Sequence, residues 1–183
     1  MKTLRLADII RKVEHPKMRI AGLVQDSIVD GPGFRFVVFA QGCLMHCDGC
    51  HNPETWDPNG GSEKPESEII SEMLGNKLTD GLTLSGGEPF LQPVQCVVIA
   101  SAAKENGLNV WAYSGYTFEE ILIIADTTPA VGSLLNLTDV LIDGRFIAVQ
   151  KAMALRWRGS KNQRVLDVAK SLAAGKAVEL ETS

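Results

Sequence analysis

Cys43, Cys47 and Cys50 fall within eight residues, spaced C-x3-C-x2-C. A backbone that loops around one point turns all three thiolates toward it, and thiolates select zinc, copper(I) or an iron-sulfur cluster. Tetrahedral zinc and a cubane cluster each take four ligands, and only three are local. The fourth cysteine, Cys96, lies in the apolar run 94–100, where a small buried thiol is its expected state. A cluster on three cysteines leaves one iron with an open position, and an open position is where a metal site does chemistry. The same residues also admit a structural zinc site of Cys3His type, with His46 or His51 as fourth ligand. His51 adjoins Cys50, and adjacent side chains diverge, which makes His46 the better of the two. Four cysteines in 183 residues, with no secretory leader, do not form a disulfide framework.

Elements must carry this loop. Residues 34–40 are apolar and β-branched and predict a strand that delivers the chain into Gly42-Cys43. Residues 81–84 predict a short strand running into Ser85-Gly86-Gly87-Glu88-Pro89, where paired glycines let a ligand approach the backbone. Strands over 109–113 and 139–143 end in Ser114-Gly115 and Gly144. Helical patterns lie between them, over 67–74, over 93–106 closed by Gly107, and from Thr117, which forms a capping box with Glu120. Residues 19–24 predict a further strand, 54–66 a polar loop, and 1–16 an amphipathic opening ended by Pro16.

Strands alternating with helices predict an α/β fold on a mostly parallel sheet. A complete eight-unit barrel takes roughly 250 residues. Five to six strands therefore predict a partial (β/α) barrel, open on one side. It forms a single domain over 1–183, with an N-terminal extension over 1–18 and a C-terminal helical extension over 165–183.

The chain is 45% hydrophobic and 22% charged, enough for one core, and its net charge of −4 argues against nucleic acid or an anionic membrane as partner. No apolar run approaches the roughly 20 residues of a membrane span. The expected location is cytoplasmic, where thiols stay reduced. Arg156, Arg158, Lys161 and Arg164, with Trp157, read as a partner-docking face, a phosphate site or a solvated loop.

C-x3-C-x2-C resembles the cluster motif of the radical S-adenosylmethionine enzymes, and Gly86-Gly87-Glu88-Pro89 resembles their Gly-Gly-Glu motif. The resemblance implies a 4Fe-4S cluster on Cys43, Cys47 and Cys50, its open iron chelated by S-adenosyl-L-methionine. It implies that Gly86, Gly87 and Glu88 receive the cofactor's amino group. Gly49 and His51 would lie against the adenine, and Ser114 would contact ribose or carboxylate. One electron from the cluster would then cleave the sulfonium to methionine and a 5′-deoxyadenosyl radical.

Five further stretches occur in order: Asp30-Gly31-Pro32-Gly33, Cys50-His51-Asn52-Pro53-Glu54-Thr55-Trp56, Trp111-Ala112-Tyr113-Ser114-Gly115-Tyr116, Asp143-Gly144-Arg145-Phe146 and Trp157-Arg158-Gly159-Ser160-Lys161-Asn162-Gln163-Arg164. Together, over residues 20–168, they resemble the anaerobic ribonucleoside-triphosphate reductase activating proteins, a family of glycyl-radical enzyme activases. The resemblance implies hydrogen abstraction from a glycine of that large reductase. It also implies reduced flavodoxin or ferredoxin as electron donor, and favours partner docking for 156–164. Two alternatives remain: an activase of another glycyl-radical enzyme, such as pyruvate formate-lyase, and a non-catalytic zinc-binding scaffold.

Overall fold

A computed structural model of the protein describes residues 17–152 and 154–181; the amphipathic opening expected over 1–16 lies outside them. Seven strands form one sheet: β1 (Met18–Ser27), β2 (Arg35–Ala40), β3 (Ser62–Lys64), β4 (Gly81–Gly86), β5 (Asn109–Tyr113), β6 (Val140–Asp143) and β7 (Arg164–Asp167). Their order is β3-β1-β2-β4-β5-β6-β7. The central strands β2, β4, β5 and β6 are parallel neighbours, whereas β1, β3 and β7 pair antiparallel.

The sheet therefore has more strands than the five or six expected, and its parallel character is confined to the centre. Both differences come from the flanks. A hairpin between β1 and β2 requires only a loop, while each parallel pair needs a crossover, so only the crossover units announce themselves as strand-helix alternation. β3 is three residues inside the expected polar loop, too short for a period of its own. Arg19 on β1 helps hold it, reaching Glu63 at 2.8 Å. Val165 and Leu166, expected in a helix, pair with Ile142 and Leu141 of β6 instead. They face opposite sides of the sheet, and the helix starts only at Val168, where the Asp167 side chain caps Lys170 N at 3.0 Å.

The helices are α1 (Glu66–Gly75), α2 (Pro93–Glu105), α3 (Phe118–Thr127), α4 (Pro129–Leu137) and α5 (Val168–Ala174). α3 begins with the Thr117–Glu120 capping box read from sequence. No element is expected from the sequence over α4, although Pro129 at its first turn and buried Val131, Leu134 and Leu135 carry a helical signature. Parallel strands added in chain order, with crossovers of one hand, place every helix on the same face. That face holds the main core: Phe36, Val38, Leu82, Leu84, Val110, Ala112 and Leu141 of the sheet against Met73, Ile99, Ile121 and Leu134 of the helices. The other face carries Arg35, Thr83, Ser85, Trp111 and Tyr113, covered by loops. β3 and β7 are the edges of this mixed sheet.

Candidate functional site

The cysteine loop leaves the carboxyl end of β2, and its base is tied on two sides. Gly42 N donates to Thr55 O at 2.8 Å and Cys43 N to Trp56 O at 3.1 Å. From β4, Gly87 N donates to Ala40 O at 2.8 Å and Glu88 N to Gly42 O at 2.9 Å. Two glutamines that no sequence pattern marked complete the anchor. Buried Gln41 donates its amide to the carbonyls of Glu54 and Asp57, at 3.0 and 2.7 Å, and the Gln92 amide donates to Gln41 O at 2.9 Å. Each satisfies backbone that would otherwise be stranded at a chain crossing.

The paired glycines do a specific job here. A Cβ at Gly87 would stand 2.4 Å from Gly42 O; one at Gly86, where φ is +90°, would stand 2.7 Å from Phe39 Cα. The end of β4 can lie against the end of β2 only without side chains. With its N–H taken by Ala40, Gly87 has its carbonyl left to offer a ligand.

These strand ends surround a cavity of about 520 Å3, walled by Cys43, Cys47, Cys50, His51, Gly86, Gly87 and Ser114 among others. Its size suits a bound small molecule. The structure thus brings together most of the residues singled out in the sequence. Its remaining wall comes from the segment after β6, including Phe146, Trp157, Arg158 and Gln163, and from Asp30 of the β1–β2 loop. Sequence spacing could not have placed those residues beside the cysteines.

The thiols are half-buried. Burial pushes the Cys43 thiol pKa up, while a backbone hydrogen bond from Met45 opposes it. Cys50 Sγ accepts from Asn52 N at 3.4 Å. Among the described residues no three His, Cys, Asp or Glu side chains close on a single ion; the thiols ring the cavity instead. Cys96 stands apart in α2, fully buried in the helix-side core, where desolvation holds its thiol protonated. His46 stacks on Trp56, with centroids 4.9 Å apart and planes at 9°, and is not part of the wall. His51 is, and its ring lies 4.9 Å from that of Phe146.

Glu88 and Gly49 do not line the cavity. Glu88 is 1% exposed and off the wall. Its carboxylate accepts from Ser114 Oγ at 3.0 Å, Gly115 N at 2.8 Å and Phe90 N at 3.1 Å. Through these bonds the carboxylate joins the end of β4 to that of β5. Burial lifts its pKa to about 7 against those three donors. Gly49 also stands off the wall, where a Cβ would meet Phe146 and Ala148 at 3.5 and 3.4 Å.

Residues 29–166 match the family described as a 4Fe-4S single cluster domain. Anaerobic ribonucleoside-triphosphate reductase-activating protein from Salmonella typhi is 35% identical over 146 residues, covering 75% of this chain and 91% of that protein. Its namesake from Escherichia coli K12 is 34% identical over 148 residues, with the same coverage of 75% and 91%. A pyruvate formate-lyase-activating enzyme from Clostridium pasteurianum is 38% identical over 135 residues, covering 69% of this chain and 55% of that protein. Among solved structures, QueE from Escherichia coli aligns with a TM-score of 0.45 and 15% identity over 55% of this chain and 54% of its own, too slight a likeness to build on. On the family match and the identities over most of the chain, this protein belongs to the anaerobic ribonucleoside-triphosphate reductase-activating proteins, activating enzymes built on a 4Fe-4S single cluster domain.

Proposed function

We propose that Cys43, Cys47 and Cys50 hold the 4Fe-4S cluster, that S-adenosyl-L-methionine occupies the adjoining cavity, and that the chain activates an anaerobic ribonucleoside-triphosphate reductase by making a glycyl radical on it. The observation that carries this reading is the meeting of three half-buried thiols, a glycine turn and Ser114 on one cavity. The residues fit the groups: soft donors for iron, and a bare carbonyl for an ammonium. When bound, the reduced cluster and the sulfonium cofactor supply a 5′-deoxyadenosyl radical able to take a hydrogen atom from a glycine Cα.

The chain's own residues bind, orient and exclude water. Gly87 presents its carbonyl to the amino group. Glu88 acts behind the wall, fixing Ser114 and Gly115 at the height of the glycine turn. His51 and Phe146 form an aromatic corner beside Cys50, which shields the site from solvent and offers a face to a flat ring. Reduced flavodoxin or ferredoxin supplies the electron.

A pyruvate formate-lyase-type target is the second reading, supported by the 38% identity to the Clostridium protein. The reductase is preferred because its activators are matched over 91% of their own length and that enzyme over 55%. The test is anaerobic reconstitution with iron and sulfide, then dithionite and S-adenosyl-L-methionine, assaying 5′-deoxyadenosine and, with the reductase, the EPR signal of a glycyl radical. The expected result is both products, each lost in Cys47→Ala. One zinc per chain without sulfide would sink the proposal in favour of a scaffold, and cleavage without a radical on the reductase would redirect it to another target.

A further inference from the structure

Residues 144–166 contain six Arg and Lys and no Asp or Glu, in a chain whose net charge is −4. One of the six, Arg164, is neutralised by Asp143 and Glu119, and Arg158 turns its guanidinium onto Gln163 O at 2.6 Å. Arg145, Lys151, Arg156 and Lys161 are exposed and have no carboxylate within salt-bridge distance among the described residues. Arg156 is held outward by stacking over Trp157, its Cζ 4.3 Å from the ring centre.

Among its described residues the segment is folded, not a loose solvated loop. A bridge joins Lys151 to Ser160, Lys161 N donates to Gln150 O at 3.0 Å, and Gln163 Oε1 receives Gly159 N at 2.9 Å. At its tip a single 3-10 turn exposes Val149 by 94%, next to exposed Ile147. The same segment supplies Phe146, Trp157 and Arg158 to the cavity wall. An exposed apolar point and four exposed cations with no carboxylate partner among the described residues share one segment that borders the site, and this is the composition of an interface and not of an inert surface.

We infer that this face, Arg145, Lys151, Arg156 and Lys161 around Val149, docks an acidic segment of the partner polypeptide that carries the reacting glycine. The inference rests on the activase reading and adds to it the partner chemistry recognised outside the cavity. Cations at a rim act mainly by steering and registering the partner, so the effect should appear in association and fade with salt as the screening length falls below about 10 Å.

The experiment uses the reconstituted full chain and an anaerobic reductase. In the variant R145E/K151E/K161E, the Kd and KM for the reductase at low salt rise about tenfold or more, and the gap narrows at high salt. Turnover at saturating reductase, partner-free cleavage of S-adenosyl-L-methionine and iron content stay unchanged. Val149→Asp adds a second loss of affinity. Equal Kd and KM for wild type and variant at every salt concentration would overturn the docking face, even with a normal glycyl radical. Wild type that binds the reductase salt-dependently through these residues yet forms no radical would keep the face and remove the activase reading. No binding by wild type would overturn both.

Discussion

The two faces of the sheet are built on opposite terms. The helix face is apolar and closed: Phe36, Leu84, Val110 and Leu141 alternate inward, and α1–α5 cover them with Ile, Leu, Val and Met. The loop face puts Arg35, Thr83, Ser85 and Tyr113 at the alternate positions of the same strands. Arg35 is fully buried there, bonded to Thr83 Oγ1 at 3.0 Å, Asn109 Oδ1 at 2.6 Å and Leu82 O at 2.6 Å, and desolvation lowers its pKa to about 10. One face is held by area removed from water, which tolerates exchange of similar shapes; the other adds to a smaller apolar cluster of Trp111, Val140, Ile142 and Val165 a set of directional bonds, which do not. The cavity lies on the second face because polar groups and bare backbone can be presented only where no helix covers them.

If that division is right, damage to the two faces should separate stability from activity. The largest effect is Cys47→Ala: cluster and radical formation are lost, while melting of the apo chain moves little because no core contact is removed. Iron analysis, EPR and calorimetry measured together check this. Leu134→Ala is the converse. It removes a fully buried side chain from the helix face and should cost about 2–5 kcal/mol in stability by denaturant titration, with radical yield per folded, cluster-loaded chain unchanged. An equal loss of specific activity would show that the helix face also tunes the site.

Gly87→Ala strikes the junction. Its Cβ would press within 2.4 Å of Gly42 O, so the β2 and β4 ends must part by more than about half an ångström. The stability cost should be smaller than for Leu134→Ala. Activity should fall about 10- to 100-fold, since small misplacements at a reacting centre are costly. A raised KM for S-adenosyl-L-methionine with normal iron content would locate the damage at the turn. Unchanged kinetics would mean that the strand ends do not set the geometry.

The same contrast explains what could be read from the sequence. The helix face was legible because α3 opens on a capping box, because α2 is a long apolar run bounded by Pro93 and Gly107, and because β2, β4, β5 and β6 are separated by crossovers. The cysteines and glycines were legible because their spacing has few structural uses. What was not legible depends on distant pairing. β7 carries only two apolar residues, its strand state fixed by the free edge of β6, and β3 is set by β1. Gln41 and Gln92 matter only because two chain segments happen to cross there. Phe146 and Trp157 join Cys50 at the cavity through a fold of 144–163 that no local pattern encodes.

The smallest effect, and the one that decides how Glu88 works, is the pH dependence of Glu88→Gln. Its folded pKa, about 7, lies above the ordinary 4.5, so the folded chain retains a proton that the unfolded chain releases as pH rises between those values. Stability from this group is complete below pH 4.5 and declines as pH rises through 7, by no more than roughly 3 kcal/mol. Glutamine keeps an oxygen for Gly115 N and Ser114 Oγ, turns its NH2 toward the Phe90 N–H and carries no charge, so the variant should lose that slope and its deficit relative to wild type should narrow as pH rises to 8. If Glu88 acts only through Ser114 and Gly115, the variant keeps its KM for S-adenosyl-L-methionine within about threefold, while Glu88→Ala, which leaves the three donors unmet, does not. If the carboxylate meets the cofactor's ammonium directly, KM rises in Glu88→Gln at every pH above 7, because a charge-assisted bond has become a neutral one. The buried donors around Glu88 favour the first outcome, since a carboxylate holding Gly115, Phe90 and Ser114 has little left to offer the cavity.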